Sequence, residues 1–415
     1  MIEPRPFLRH VSIRNYKSIA TCDVELGKFT VIVGRNGSGK SNFLDAIRFV
    51  AESLDTSLDH AVRARGGFED VLRRAGSAAD ALGIELHFEL PDGRAGAYAI
   101  EVIGLPQGRY RVRHERLQII APGRDSVGFE TRDGEVTGVP YPELNPTTIV
   151  VGDDTMVIHA MPKPAPDRLY LVSLSGGKDF RDVYDALKGM AFYNLNPNQI
   201  RQLHAADSSD VLRHDGGNLA SVAGRLFDES PSLKERLLEY LNVIVPEVED
   251  IRRTSVEGFD YLSFQINDIG DAPLRASAMS DGTLRVIGNL IAAMQFIGYG
   301  QRLPLVALEE PETALHPAAS AALLDALREA AVEKQIIITT HSADLLDELD
   351  LETDTLVVAQ LHQGRTEIDA VDSVGASAIR DHLFSAGELL RLDQLRPIAP
   401  TKKEPPLRSR TELVP

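Results

Sequence analysis

Apolar positions run through this 415-residue chain in two rhythms, and the changes between them mark out its parts. FLRHVSIRNY (7–16) alternates as a strand with one buried face, whereas KFTVIVG (28–34) is nearly all apolar, as a strand covered on both faces would be. A polar link joins the two. After a glycine-rich stretch, NFLDAIRFVAESL (42–54) repeats its apolar residues at helical spacing. From about 82 to 175 the chain is strand-like again, in LGIELHFEL, AYAIEVI, RYRVRHERLQII and TTIVV, punctuated by PDG, LPQG, APG and RDG. These stretches predict antiparallel hairpins laid on a core.

Between about 176 and 255 the spacing turns helical in FRDVYDALKGM, NLASVAGRLF and SLKERLLEYLNVI, which predicts a helical insertion. No heptad is sustained, so a long coiled-coil arm is not expected. From 256 the elements alternate: strand FDYLSFQI, a helix from Leu284, strand RLPLVALEE, helix PAASAALLDALREAAV, strand KQIIITT, helix ADLLDEL. That order predicts a parallel sheet covered by helices, hence an α/β fold. The length favours two lobes or one core with an insertion. The expected division is an N-terminal lobe (1–175), a helical insertion (176–255), a C-terminal lobe (256–396) and a disordered Pro-, Lys-, Arg- and Glu-rich tail (397–415).

Composition narrows the class. With 43% hydrophobic and 25% charged residues this is an ordinary globular chain, and its one cysteine, Cys22, excludes an internal disulfide framework. Charges fill the first eighteen residues where a secretion signal would be apolar, and the run from Val286 to Ile297 is too short to span a bilayer. A cytoplasmic protein without a membrane partner is expected. The net charge of -17 argues against a generic nucleic-acid binder. Arg109, Arg111 and Arg113 alternate along one strand, with Arg116 nearby, and are read as a solvated outer sheet face.

The chemistry is concentrated in three places. GRNGSGKS, from Gly34 through Arg35, Asn36, Gly37, Ser38, Gly39 and Lys40 to Ser41, fits G-x-x-x-x-G-K-[ST] between a strand and a helix, the context of a phosphate-binding P-loop. Its glycines let backbone N–H groups point inward, Lys40 would neutralise the β- and γ-phosphates, and Ser41 would ligate Mg²⁺; Asn42 completes the expected contact set. In LVALEEPETALHP (305–317) two carboxylates end an apolar strand before Pro311. Glu309 is expected in the Mg²⁺ shell and Glu310 beside the attacking water. KQIIITTHS places His341 at the end of another apolar strand, where it could donate to the γ-phosphate.

P-loop, serine-glycine turn before a helix, hhhhEEPE and TTHS, in that order, resemble the ABC-type ATPase heads of the SMC, RecF and OLD group. SIRNYKSI, SDGTLR, EEPETALHP and AGELLRLDQL look like the stand-alone bacterial AAA-family ATPases within it. The resemblance covers roughly residues 7–395. It implies a P-loop NTPase fold with an antiparallel β subdomain, Lys40 and Ser41 as Walker A residues, Glu309 and Glu310 as the Walker B pair, and His341 as the switch histidine. Thr313 to His316 would be the D-loop, with His316 where many relatives have aspartate. Gln118 and Gln199 are both candidates for the Q-loop glutamine, and whether Arg14, Tyr16 or Lys17 touches nucleotide is open.

Two stretches compete for the signature, LSGGK (174–178) and MSDGT (279–283). Each places a serine before a helical segment, but in this class of head the signature helix leads directly to the Walker B strand. Ser280 and Gly282 are therefore the expected signature residues, and LSGGK a helix-capping loop. Asp281 must turn from a triphosphate, towards a basic residue such as Arg285. The resemblance implies a homodimer that sandwiches ATP, acting with Mg²⁺ in DNA maintenance or phage defence. The roughly seventy residues after His341 are too few for a Toprim nuclease, so any nuclease or other effector would be a separate protein. The competing functions are a transporter ATPase subunit and a nucleotide-dependent clamp with negligible turnover.

Overall fold

The computed structural model describes residues 6–399 except 74–80, 124–125, 139–146, 152–153, 159–161, 210, 268–269, 271 and 296–302. Its first elements are strands β1 (Leu8–Tyr16), β2 (Ile19–Glu25) and β3 (Phe29–Val33), then helix α1 (Lys40–Asp55). β2 is the segment expected as a polar link: Ile19, Cys22 and Val24 are buried among polar neighbours, and it pairs antiparallel with β1. Short helices α2 (Leu58–Arg63) and α3 (Phe68–Val71) follow. The hairpin region is β4 (Ala81–Glu89), β5 (Ala95–Leu105), β6 (Arg109–Ile120), β7 (Val127–Arg132) and β8 (Glu135–Gly138), with a separate pair β9 (Thr147–Val151) and β10 (Asp154–Ile158).

Helix α4 (Tyr170–Leu174) falls at the end of the stretch read as strands, and α5 (Lys178–Lys188), α6 (Pro197–Ile200), α7 (Leu219–Glu229) and α8 (Pro231–Ile244) fill the stretch read as helical. It also holds strands β11 (Ala191–Tyr193), β12 (His204–Ala205) and the start of β13 (Val248–Val256). β13, β14 (Phe259–Ile266), β12 and β15 (Leu274–Arg275) make a small antiparallel sheet. The chain then alternates through α9 (Asp281–Met294), β16 (Leu305–Glu309), α10 (Pro317–Ala331), β17 (Gln335–Thr340) and α11 (Ala343–Asp347). It ends in the hairpin β18 (Thr355–His362) and β19 (Arg365–Ala370), then α12 (Ser373–Arg380) and α13 (Ala386–Arg391). Pro397 bridges Val371 and Ile398 N donates to Ala370 O, so ordered structure runs past the expected start of the tail. Residues 400–415 of that tail lie outside the described residues.

Thirteen of the described strands form one sheet in the order β11-β16-β17-β3-β18-β19-β2-β1-β4-β5-β6-β7-β8. β11, β16, β17, β3 and β18 run parallel, and the hairpins from β2 to β8 extend the same sheet antiparallel. The parallel strands are apolar throughout because both faces are covered. In β3, Phe29, Val31 and Val33 pack into one core and Ile32 into the other; in β17, Ile336 and Ile338 oppose Ile337 in the same way. Register aligns Val33 with Thr340, and Glu309 with Thr339, so the strand ends that carry the P-loop, the glutamate pair and His341 emerge together at one edge of the sheet.

The expected α/β P-loop fold with an antiparallel β region thus holds. Three of the four arginines of β6 are paired, Arg111 with Asp133, Arg113 with Glu101 and Arg116 with Glu85, while Arg109 donates to Pro106 O.

Candidate nucleotide site

The loop between β3 and α1 is shaped by its glycines. Gly37 and Gly39 adopt φ of +77° and +102°, where a side chain would be strained, and a Cβ on Gly39 would fall 2.1 Å from Thr366 Oγ1. Thr366 donates to the Ser38 carbonyl and bonds Ser18 Oγ, which also accepts from Asn42, so β19 and the β1–β2 turn brace the loop from behind. Gly34 N donates to Thr340 O, tying the loop to β17. α1 starts at Gly39 with no side-chain cap and no acidic residue in its first turn. Its N–H groups and partial positive charge are left for an anion.

Around this loop the structure gathers the charged residues. The Lys40 side chain, only 4% exposed, donates to Gly34 O at 2.7 Å and Arg35 O at 3.3 Å, with Glu310 Oε1 at 3.8 Å. Burial lowers the Lys40 pKa, opposed by the carboxylates of Glu310, Glu312 and Glu309. His341 Nδ1 lies 3.1 Å from Glu310 Oε1, and Ser41 Oγ donates to Glu309 Oε2 at 2.5 Å. Glu309 ends β16, and Glu310 takes φ +45° as the chain turns into Pro311. That left-handed residue is what brings both carboxylates to the same loop rather than to opposite sheet faces. A hydroxyl–carboxylate pair of this kind suits a hard divalent cation: Ser41 and Glu309 would hold Mg²⁺.

The remaining expected residues take distinct places. Arg35 is exposed and 3.7 Å from Asp393; Asn36 is exposed, and Ser38 is buried with no partner for its hydroxyl. Ser280 is the N-cap of α9, accepting from Thr283 N at 3.1 Å, and neither Ser280 nor Gly282 lines the cavities beside the P-loop. A Cβ on Gly282 would sit 2.4 Å from Ala314 O, so α9 lies directly against the turn after the glutamate pair. Asn289 Nδ2 donates to Pro311 O and pins the same turn. Ser175 is not an N-cap: it closes α4, its hydroxyl donating to Val172 O, and Gly177 caps α5.

Several expectations change. Asp281 turns to Arg201, not Arg285; the same guanidinium donates to Met279 O at 2.9 Å and so grips both sides of Ser280. Neither Gln118, on β6, nor Gln199, on α6, lines the cavity of about 260 Å³ beside Ser41 and Glu309, whereas Asn194, just past β11, does. Only the pairing of β11 with β16 reveals Asn194, since three residues of strand carry too little pattern to be read. Lys17 lines this cavity and pairs with Asp45 at 2.6 Å; Tyr16 is buried and donates to Asp45, and Arg14 faces Glu101.

Residues 7–116 match the family model described as "RecF/RecN/SMC N terminal domain". Residues 175–347 match the model described as "AAA domain, putative AbiEii toxin, Type IV TA system". The DNA replication and repair protein RecF of a Nocardioides species is 30% identical over 118 residues, 28% of this chain and 28% of that one. The chromosome partition protein Smc of Aquifex aeolicus is 33% identical over 103 residues, 24% of this chain and 8% of its own. The alignments span well under two thirds of either relative. An Smc head solved with the C-winged helix domain of ScpA superposes with a TM-score of 0.55 at 16% identity, covering 90% of this chain and 100% of that one. The chain thus has the α/β fold of an Smc head, with the P-loop sequence set between β3 and α1. The chain is similar to SMC/RecF-like ATPases over the two stretches 7–116 and 175–347, neither of which reaches half its length. Among the described residues no helix is long and apolar enough to cross a membrane.

Proposed function

We propose that this chain binds and hydrolyses ATP as a two-fold dimer and serves as a cytoplasmic switch in DNA maintenance or phage defence, acting through a separate effector protein. The observation that carries this reading is the meeting of Lys40, Glu310 and His341 at one P-loop, with the Ser41–Glu309 pair beside them. The names of the relatives RecF and Smc support the DNA side of it.

In this reading the loop N–H groups and the α1 N-terminus receive the phosphates, and Lys40 exchanges its carbonyl partners for phosphate oxygens. Mg²⁺ held by Ser41 and Glu309 would neutralise part of the phosphate charge. Glu310 orients the attacking water and takes its proton, while His341 donates to the γ-phosphate. Ser280 and Gly282 of a second copy complete the site, with Arg201 holding the Asp281 carboxylate away from the phosphates. ATP then joins two copies, and loss of the shared γ-phosphate loosens them.

The test pairs two variants. Lys40→Ala is expected to lose nucleotide binding; Glu310→Gln is expected to bind ATP, hydrolyse it at least about a hundredfold more slowly and elute as a dimer with Mg²⁺ and ATP. A Glu310→Gln protein that stays monomeric at saturating ATP would sink the sandwich. Hydrolysis that does not change when duplex DNA is added would remove DNA as the trigger.

A further inference from the structure

One buried carboxyl at this site has no role in the scheme above. Glu312, 7% exposed, lies in the turn that separates Glu310 from α10. Its Oε1 accepts from Thr340 Oγ1 at 2.5 Å, and that hydroxyl in turn accepts from Ser342 N at 2.9 Å. Thr340 and Ser342 flank His341, so a single side chain of the β16 turn holds the backbone that presents the switch histidine. The other oxygen, Oε2, is buried without a hydrogen-bond partner. Ser38 Oγ in the P-loop and Thr313 Oγ1 in the same turn are likewise buried and unpartnered.

An orphaned carboxylate oxygen costs about 1–3 kcal/mol or more, so a fold keeps one only where something offsets it. Burial raises the Glu312 pKa, and Lys40, Glu310 and His341 all lie within electrostatic reach of it. For stability alone, an apolar side chain of the same size often serves as well or better.

We propose that Glu312 is a positioning residue of the nucleotide site: one oxygen sets the His341 turn through Thr340, and the other is kept open for a hydrogen-bond donor that enters with the hydrated magnesium–nucleotide. This rests on the ATPase reading and adds to it a link between the glutamate pair and the switch histidine that does not pass through Glu310. The carboxyl is tuned for the loaded state and is a liability in the empty one.

The experiment compares Glu312→Met, Thr340→Val and Thr340→Ser with the wild-type chain, in hydrolysis and in thermal melts with and without Mg²⁺-ATP. Glu312→Met is expected to leave the ligand-free melting point unchanged or higher, to shrink the shift that Mg²⁺-ATP produces, and to lower kcat about tenfold, the scale on which outer partners act. Thr340→Val should lose kcat similarly, Thr340→Ser should retain it, and the Met/Val double variant should be no slower than the slower single one. A lower ligand-free melting point with kcat intact would make Glu312 structural and overturn the proposal, as would additive losses in the double variant. Lys40→Ala runs alongside: hydrolysis that survives it would overturn the ATPase reading itself, while the Mg²⁺-ATP melting shift would still report on Glu312.

Discussion

Glu115 shows how far a single side chain can depart from what its neighbours in sequence suggest. In RYRVRHERLQII the arginines alternate outward only as far as Arg113, where a bulge opposite Glu101 and Val102 slips the phase. Glu115 is thereby turned fully inward, where it accepts from Tyr98 Oη at 2.8 Å, Tyr170 N at 2.5 Å and Leu171 N at 2.9 Å. Burial pushes its pKa from 4.5 up to about 7, against the pull of those three donors. The folded chain therefore binds the proton more tightly than the unfolded one, and stability falls as pH rises from about 4.5 to about 7, by on the order of 3 kcal/mol. Unfolding midpoints of the wild type and Glu115→Gln should converge or diverge across that window only; a constant offset would refute the assignment. Asp45 works in the opposite sense. Burial raises it, but Arg65 and Lys17 outweigh burial and hold it at about 2, so its contribution is present above pH 4 and lost as pH falls through 2.

At the scale of elements, the two serine-glycine stretches separate by mechanism. Ser280 caps a fourteen-residue helix whose face is almost wholly buried, so Ser280→Ala should cost about 1 kcal/mol in chemical denaturation, whereas Ser175→Ala should stay within about 0.5 kcal/mol. Gly282→Ala should cost about 1–3 kcal/mol, because the atom its Cβ meets is a backbone oxygen, Ala314 O, that cannot rotate away. The order of strands and helices around the P-loop was legible because buried parallel strands are uninterrupted apolar runs. β2 was not: Thr21, Asp23 and Glu25 break its run.

At the scale of the whole molecule, the two-copy site proposed here, with Ser280 as its signature residue, makes a prediction that no single-copy site shares. Lys40→Ala keeps its signature and Ser280→Arg keeps its P-loop, so each alone should be inactive. Mixed in equal amounts, they should recover roughly a quarter of wild-type hydrolysis, since random pairing gives half mixed dimers with one complete site in two. No recovery on mixing would mean that Ser280 does not act across a dimer. Ser175→Arg, placed in the α4–α5 turn, should hydrolyse ATP like the wild type in the same assay.

Local pattern was enough for the P-loop, the glutamate pair, His341 and the parallel α/β frame, because each is written in consecutive residues whose spacing matches one element. Tertiary structure decided the rest. Asn194 is brought beside Ser41 and Glu309 through a strand pairing more than a hundred residues away, Glu312 meets Thr340, and Asp281 is met by Arg201 rather than by its helical neighbour Arg285. A side chain's partner across the fold leaves no periodicity in the chain, and a carboxylate written beside a glycine reads the same whether an arginine eighty residues earlier waits for it or not.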